Sequence, residues 1–373
     1  MKRTLRLLAV LLALAWPGAA SVGAEEEAPS PPALAIEPSP AVDWEQTTIV
    51  EPVIRLFTPW SGALFGQTRE GLYRSDDAGV TWYAITLPPH VTESTLREGI
   101  AVDPNNHTIL FVASRQGIYR SVDDGASWQL VLPTDEGRGF PIALSVSEAD
   151  GRIVYVATSF GEFSRSADRG DTWDRRSPGP QGGPCAWSAG VLRPHPTEPS
   201  TLFTSYGCYA GRNLGGGIAL RRSNSQDGTS SVFHVRSGTS PTMLTGGQGA
   251  LPERYYLGLI FPVSTRGSAL MRTDSGGAAW VEVLATDPAD EFASDGNTPF
   301  LGGVAYDLAQ PDRVWVGKSG GATGVLASAD AGTTWLELGR QDIGRVSDLA
   351  LGIDAGWLFA ATDQGVWRYR LLP

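Results

Sequence analysis

The chain has 373 residues, with 29 Lys+Arg against 40 Asp+Glu and a formal net charge of −11. That balance argues against nucleic acid or an anionic membrane surface as partner, because both reward positive charge. With 45 Gly, 26 Pro and no long stretch of helical apolar spacing, the chain reads as many short strands joined by turns.

Residues 1–24 have the pattern of a secretory signal peptide. Lys2, Arg3 and Arg6 form a basic start, Leu7 to Trp16 an apolar run, and Val22-Gly23-Ala24 a small-residue cleavage site. The run is shorter than the ~20 residues of a membrane span, so no stable insertion is expected after cleavage. The sequence therefore predicts an exported protein, in the periplasm, at the cell surface or secreted. Residues 25–41 are acidic and Pro-rich and read as an extended linker. Residues 42–373 read as one domain.

That domain is organised by an octad, Ser-x-Asp-x-Gly-x-Thr/Ser-Trp. It occurs with Ser75, Asp77, Gly79 and Trp82; with Ser121, Asp123, Gly125 and Trp128; with Ser166, Asp168, Gly170 and Trp173; and with Ser328, Asp330, Gly332 and Trp335. A slipped copy runs from Thr273 to Trp280, and an eroded one without Trp from Ser223 to Phe233. Asp at the third place and Gly at the fifth make a tight turn, with the carboxylate taking nearby backbone N–H groups. The four carboxylates read as turn staples, not as catalytic groups or calcium ligands.

Each octad follows a strand ending in Arg-Ser or a variant of it, as in EGLYRS (70–75) and QGIYRS (116–121). Before that lie two apolar strands joined by a hairpin of fixed length. Asp103 precedes Phe111, Ser147 Tyr155, His195 Phe203 and Asp307 Trp315, each by eight places. Each unit holds four strands, and the octad Trp residues recur every 45 to 55 places where copies are consecutive. This is the pattern of a propeller blade. The last two strands, 357–362 and 364–370, lack a fourth, and Val42 to Val50 supplies one, with Trp44 in the octad-Trp place. The sequence predicts an all-β, seven-bladed β-propeller of four-stranded blades, closed by its N-terminal strand.

The octad resembles the Asp-box repeat of β-propellers. The whole of 42–373 is similar to exported Asp-box propellers of the photosystem II assembly-factor type, and more loosely to the sortilin propeller. The resemblance implies a non-catalytic ring that binds a protein, or a glycan, as an assembly or stability factor. Sialidases share the repeat, so a sialidase-like glycoside hydrolase is the alternative. Their Arg-Ile-Pro motif has only Arg55-Leu56-Phe57 as a counterpart here. No pair of the four His residues has metal-ligand spacing, and no metal or cofactor is expected.

Cys185 and Cys208 fall in the first two strands of the fourth unit, where export favours a disulfide. Three stretches are long for loops: 205–217, 237–254 and 286–299. They are consecutive around the predicted ring, on the face opposite the octads. Their neighbourhood supplies Trp187, Tyr209, Arg212, Arg254, Tyr255, Asp290, Glu291, Asp295 and Lys318 as candidate ligand-binding residues of a monomeric protein. The Arg residues directly before the octads read as a ladder tied to acids of the next blade.

Overall fold

The computed structural model describes residues 43–59, 62–89, 91, 99–135, 137, 139–159, 163–176, 191–206, 218–224, 230–236, 240–248, 251–260, 267–285, 301–319, 323–352 and 356–371. Of 206, 218–224, 230–236, 240 and 241 only the backbone is described, as for 176. Cys185 and Cys208 lie outside the described residues, as do the linker and the predicted signal segment.

Among the described residues the fold is all-β, in seven antiparallel sheets of four strands. Sheet I holds Val53–Phe57, Leu64–Thr68, Leu72–Ser75 and Tyr83–Ile85. Sheet II holds Ile100–Val102, Leu110–Ser114, Gly117–Ser121 and Gln129–Pro133. Sheet III holds Pro141–Val146, Val154–Thr158, Phe163–Ser166 and Asp174–Arg176. Sheet IV holds Leu192–Pro194, Thr201–Tyr206, Ile218–Asn224 and Ser230–Arg236. Sheet V holds Ser240–Gly246, Tyr255–Ile260, Ser268–Thr273 and Val281–Ala285. Sheet VI holds Leu301–Tyr306, Val314–Lys318, Val325–Ser328 and Leu336–Leu338. Sheet VII holds Val346–Leu351, Trp357–Thr362 and Gly365–Arg370, with Glu45–Gln46 as its fourth strand.

The strand order follows from burial. Second strands such as Leu110–Ser114 and Val314–Lys318 are buried at every position, while fourth strands such as Tyr83–Ile85 face solvent. Alternation along a second strand sends successive side chains to opposite faces. Leu110 packs toward sheet I and Phe111 toward sheet III. Tyr255 packs toward sheet IV and Tyr256 toward sheet VI. Leu358 packs toward sheet VI and Phe359 toward sheet I. Each sheet thus shares a core with its neighbours on both sides, the last with the first included.

At sheet VII the N-terminal strand is short. Glu45 pairs with Arg368 and Gln46 with Trp367, and two further backbone bonds join Thr47 and Ile49 to Val366. Trp44 is buried beside Tyr369, with ring centroids 5.4 Å apart, and its Nε1 donates to Leu338 O at 2.9 Å. Trp128 and Trp335 donate to the preceding sheet in the same way, to Thr86 O and Val283 O.

Residues 237–254 are not a single loop. Ser240–Gly246 is the first strand of sheet V, and Gly246 pairs with Tyr255 at the start of the second. The alternating SPTMLTG reads as loop only because Gly and Pro flank it.

Candidate functional site

The octads come first, since they are the most chemical-looking groups in the chain. In each, the Ser hydroxyl donates to Asp Oδ1 and accepts the Gly N–H; for Ser121 both distances are 2.8 Å. Asp Oδ1 then accepts the amide of the seventh residue, and Oδ2 its hydroxyl, at 2.9 and 2.6 Å for Asp123 and Ser127. This is why the seventh place is Thr or Ser. The fourth residue, Ala78, Asp124, Arg169 or Ala331, has φ of 55 to 59°, and the following Gly stays left-handed. Serial left-handed residues are costly without Gly, so the Asp and Ser bonds hold the turn.

In Asp123, bonds from the Ser127 hydroxyl and amide hold the carboxyl below its ordinary range. Burial raises Asp77, Asp168 and Asp330, but hydrogen bonds outweigh it and all three are lowered. Carboxylates bonded this fully inside their own turns are structural. In the slipped copy, Thr273 and Ser275 take the Ser and Asp places, and Ser275 Oγ accepts Ala279 N at 3.0 Å.

Arg74, Arg120 and Arg272, each directly before an octad or its slipped copy, tie one sheet to the next. Arg120 Nη1 donates to Arg169 O at 2.7 Å and to Asp171 at 2.6 Å. Arg272 reaches Ala331 O at 2.7 Å, and Arg74 pairs with Asp124. Arg368 of sheet VII reaches Ala78 O of sheet I at 3.0 Å. Most of these bonds land on the left-handed fourth residue of the neighbouring octad.

Of the nine candidate ligand-binding residues, Trp187, Tyr209, Arg212, Asp290, Glu291 and Asp295 lie outside the described residues. The other three do not gather. Arg254 sits at the octad end of sheet V and bridges Asp274 and Asp312, each at 2.5 Å. Tyr255 is 1% exposed and packs on Phe203 and His195, with centroids 4.9 and 6.0 Å away. Both are structural, at the octad end of their strand. Lys318, at the opposite end of its strand, pairs with Glu337 at 2.6 Å. The hairpin between first and second strands, which ends at Arg254 and Tyr255, emerges beside the octads, not on the face opposite.

The first strands frame a cavity of 570 Å³ instead, lined by sheets I and III to VII. Its charged groups are Arg55, Arg193 and Asp348. β-Bulges at Val53/Arg55 and Val346/Asp348 bring two of them to equivalent places on sheets I and VII, as bulges commonly re-aim side chains. Arg55 lies over the Phe57 ring at 5.0 Å. Asp348 accepts Leu56 N at 3.0 Å and Leu349 N at 2.9 Å. Burial pushes its carboxyl up to about 6, against the pull of the Leu56 bond and Arg55.

A second cavity of 380 Å³ continues the first toward the octad side, sharing Leu56, Arg193, Thr245, Val304 and Leu349. Together they form one continuous hollow, a channel bordered by the first strands. Its one signal in the sequence was a charge interrupting an apolar first strand, as in VIRLF and VSDLAL.

No family model matches the sequence, and no curated protein matches it. Solved structures do. A GH74 enzyme of Niastella koreensis superposes with a TM-score of 0.61 at 16% identity, over 88% of this chain and 53% of that one. YCF48 bound to D1 peptide gives 0.58 at 16% identity, over 92% and 100%. The RRP9 WD40 repeats give 0.60 at 13% identity, over 90% and 99%. The fold is a β-propeller. The propeller spans about half the length of the GH74 enzyme, and at these identities the likeness speaks for fold alone.

Proposed function

We propose that this chain is an exported, monomeric, seven-bladed propeller that binds a protein partner as an assembly or stability factor. Residues 1–24 are its signal peptide and 25–41 its linker. The blade count is supported by the seven sheets, and closure by the core, the Arg368 bond and the Glu45–Gln46 pairing that join sheet VII to its neighbours. The observation that carries the binding reading is the match over 92% of this chain and the whole of YCF48, which was solved bound to D1 peptide. The octad carboxylates add support, since each takes three hydrogen bonds within its own turn.

The proposed partner-binding residues are Trp187, Tyr209 and Arg212 with the acids Asp290, Glu291 and Asp295. Capture from the native envelope fraction tests this. Trp187→Ala with Arg212→Ala should abolish capture of a defined partner while thermal stability holds. Asp123→Ala with Asp168→Ala should lower stability and leave capture per folded molecule unchanged. Equal loss of capture from both pairs at matched folded fraction would overturn the placement. Turnover of a fluorogenic sialoside or of a glucan by the purified protein would overturn the binding reading in favour of a glycosidase.

A further inference from the structure

We propose that the octad-side mouth of the channel is a binding site for a small zwitterion with an apolar body, an aliphatic α-amino acid being the simplest case. The site does not rest on partner capture.

Four polar side chains from four successive sheets converge on the 380 Å³ cavity: Glu148 after the first strand of sheet III, Arg193 of sheet IV, Gln248 of sheet V and Tyr306 of sheet VI. Arg193 Nη2 meets Glu148 Oε1 at 3.1 Å, and the Tyr306 hydroxyl donates to Gln248 Oε1 at 3.3 Å. Burial raises Tyr306 well above its ordinary range, with Arg193 lowering it and Glu148 raising it, so the hydroxyl remains a donor. The arc of sheets I, II and VII is mostly apolar, with Leu56, Pro104 and Leu351 beside Thr58. The wall of sheets III to VI therefore offers a cation, an anion and two neutral hydrogen-bonding groups, with Thr245, Leu308 and Asp307, whose carboxylate caps its own hairpin, also lining it. The other offers mainly hydrocarbon.

The ion pair is under-used. It makes one contact, and Glu148 Oε2 and Arg193 Nε are buried without a hydrogen-bond partner. About a quarter of each side chain remains exposed, 27 and 26%. A carboxylate on the guanidinium and an ammonium on Glu148 would replace one weak contact with two charge-assisted sets. An ion of one sign would separate the pair and leave one charge uncompensated in a confined site, a cost that selects for the zwitterion. The cavity volume lies at the lower end of the range for small-molecule sites.

Calorimetry on the purified full chain tests this with L-leucine as probe, beside 4-methylpentanoate and 3-methylbutylamine, which each keep one of its charges. Leucine should bind saturably, and the one-charge analogues about tenfold more weakly or not at all. Glu148→Gln should weaken leucine by about tenfold and Tyr306→Phe by a few-fold. Glu148 also ties sheets III and IV, so Leu308→Asp, on the cavity wall beside Tyr306, provides a variant that breaks no hydrogen bond or ion pair between sheets. It should remove leucine binding with the fold intact. The proposal falls if leucine shows no saturable binding up to about 10 mM. It also falls if the one-charge analogues bind equally well, or if folded Leu308→Asp binds like the parent.

Discussion

The octad rim and the channel wall are built from the same strands and obey different rules. On the rim, four octads repeat one set of bonds to within a tenth of an ångström: Ser to Asp at 2.7–2.8 Å, and the seventh hydroxyl to Asp at 2.6–2.7 Å. On the wall, equivalent first-strand positions carry Arg55, Ala143, Met243 and Asp348, each next to a register shift. Repetition marks what every sheet needs in order to stand beside the next. Its absence marks positions free to differ, and those are where recognition can be placed.

The largest expected effect lies where the repeat is completed from the other end of the chain. Trp44→Ala removes a 3% exposed ring from the core shared by sheets VI and VII, together with its bond to Leu338 O. The cost should be about 4 kcal/mol, as for large-to-small changes of buried aromatics. Thermal unfolding measures it, and a loss near 1 kcal/mol would show that the N-terminal strand is an ornament of sheet VII.

Next comes Gly302→Ala, on the wall. A Cβ there would lie 1.7 Å from Val346 O, so the first strands of sheets VI and VII touch backbone to backbone. Gly303 makes a similar approach, 2.5 Å from Leu349 N. The change should cost about 3 kcal/mol by overpacking. Gly66→Ala, on the second strand of sheet I, meets nothing closer than the Trp82 ring at 3.3 Å and should cost clearly less. Equal losses would mean that the close approach of sheets VI and VII is not a feature of the folded protein.

On the rim, Ser121→Ala strips the Gly125 amide of its acceptor in a buried turn and frees one lone pair of Asp123. About 2 kcal/mol is expected from an unsatisfied buried donor. Ser75→Ala and Ser328→Ala should match it closely, because their bonds do. A spread of several-fold among the three would break the equivalence of the octads.

The rim was legible from sequence because all of its chemistry lies within eight residues. A Ser, an Asp and a Gly at fixed offsets dictate the turn whatever surrounds it. The hairpins were legible for the same reason: Asp103 and Asp307 cap them locally, accepting the amides two residues on at 2.9 and 2.8 Å. The channel was not legible. Glu148 and Arg193 are 45 residues apart, and Tyr306 and Gln248 are 58 apart. No local rule brings them together; the strand register does. The place of Arg254 was not legible for a related reason. Its partners Asp274 and Asp312 are 20 and 58 residues away, and nothing in the chain around it announces either.

The smallest effect separates rim from wall by pH. In the octads the folded carboxyl is lowered, so its stabilising contribution is present at neutral pH and is lost as pH falls below the ordinary carboxylate range. Asp348 has the opposite sign. Its folded value, about 6, lies above the ordinary 3.8, so the folded protein holds this proton more tightly than the unfolded chain. Stability should fall as pH rises from about 4 to about 6 and stay flat beyond. The parent should therefore be most stable near pH 4–5, with the octads eroding the acid limb and Asp348 the neutral one. Asp348→Asn keeps an oxygen for the Leu56 amide, gives up the bond from Leu349 N and removes the buried charge. It should flatten the neutral limb and add about 1 kcal/mol at pH 7, discounted from the full shift for water in the channel. Denaturant titrations of parent and variant at pH 4.5 and pH 7 measure both terms. If Asp348→Asn lowers stability at pH 7, the ionised carboxylate is a net support of the wall, and the contrast between wall and rim loses its electrostatic half.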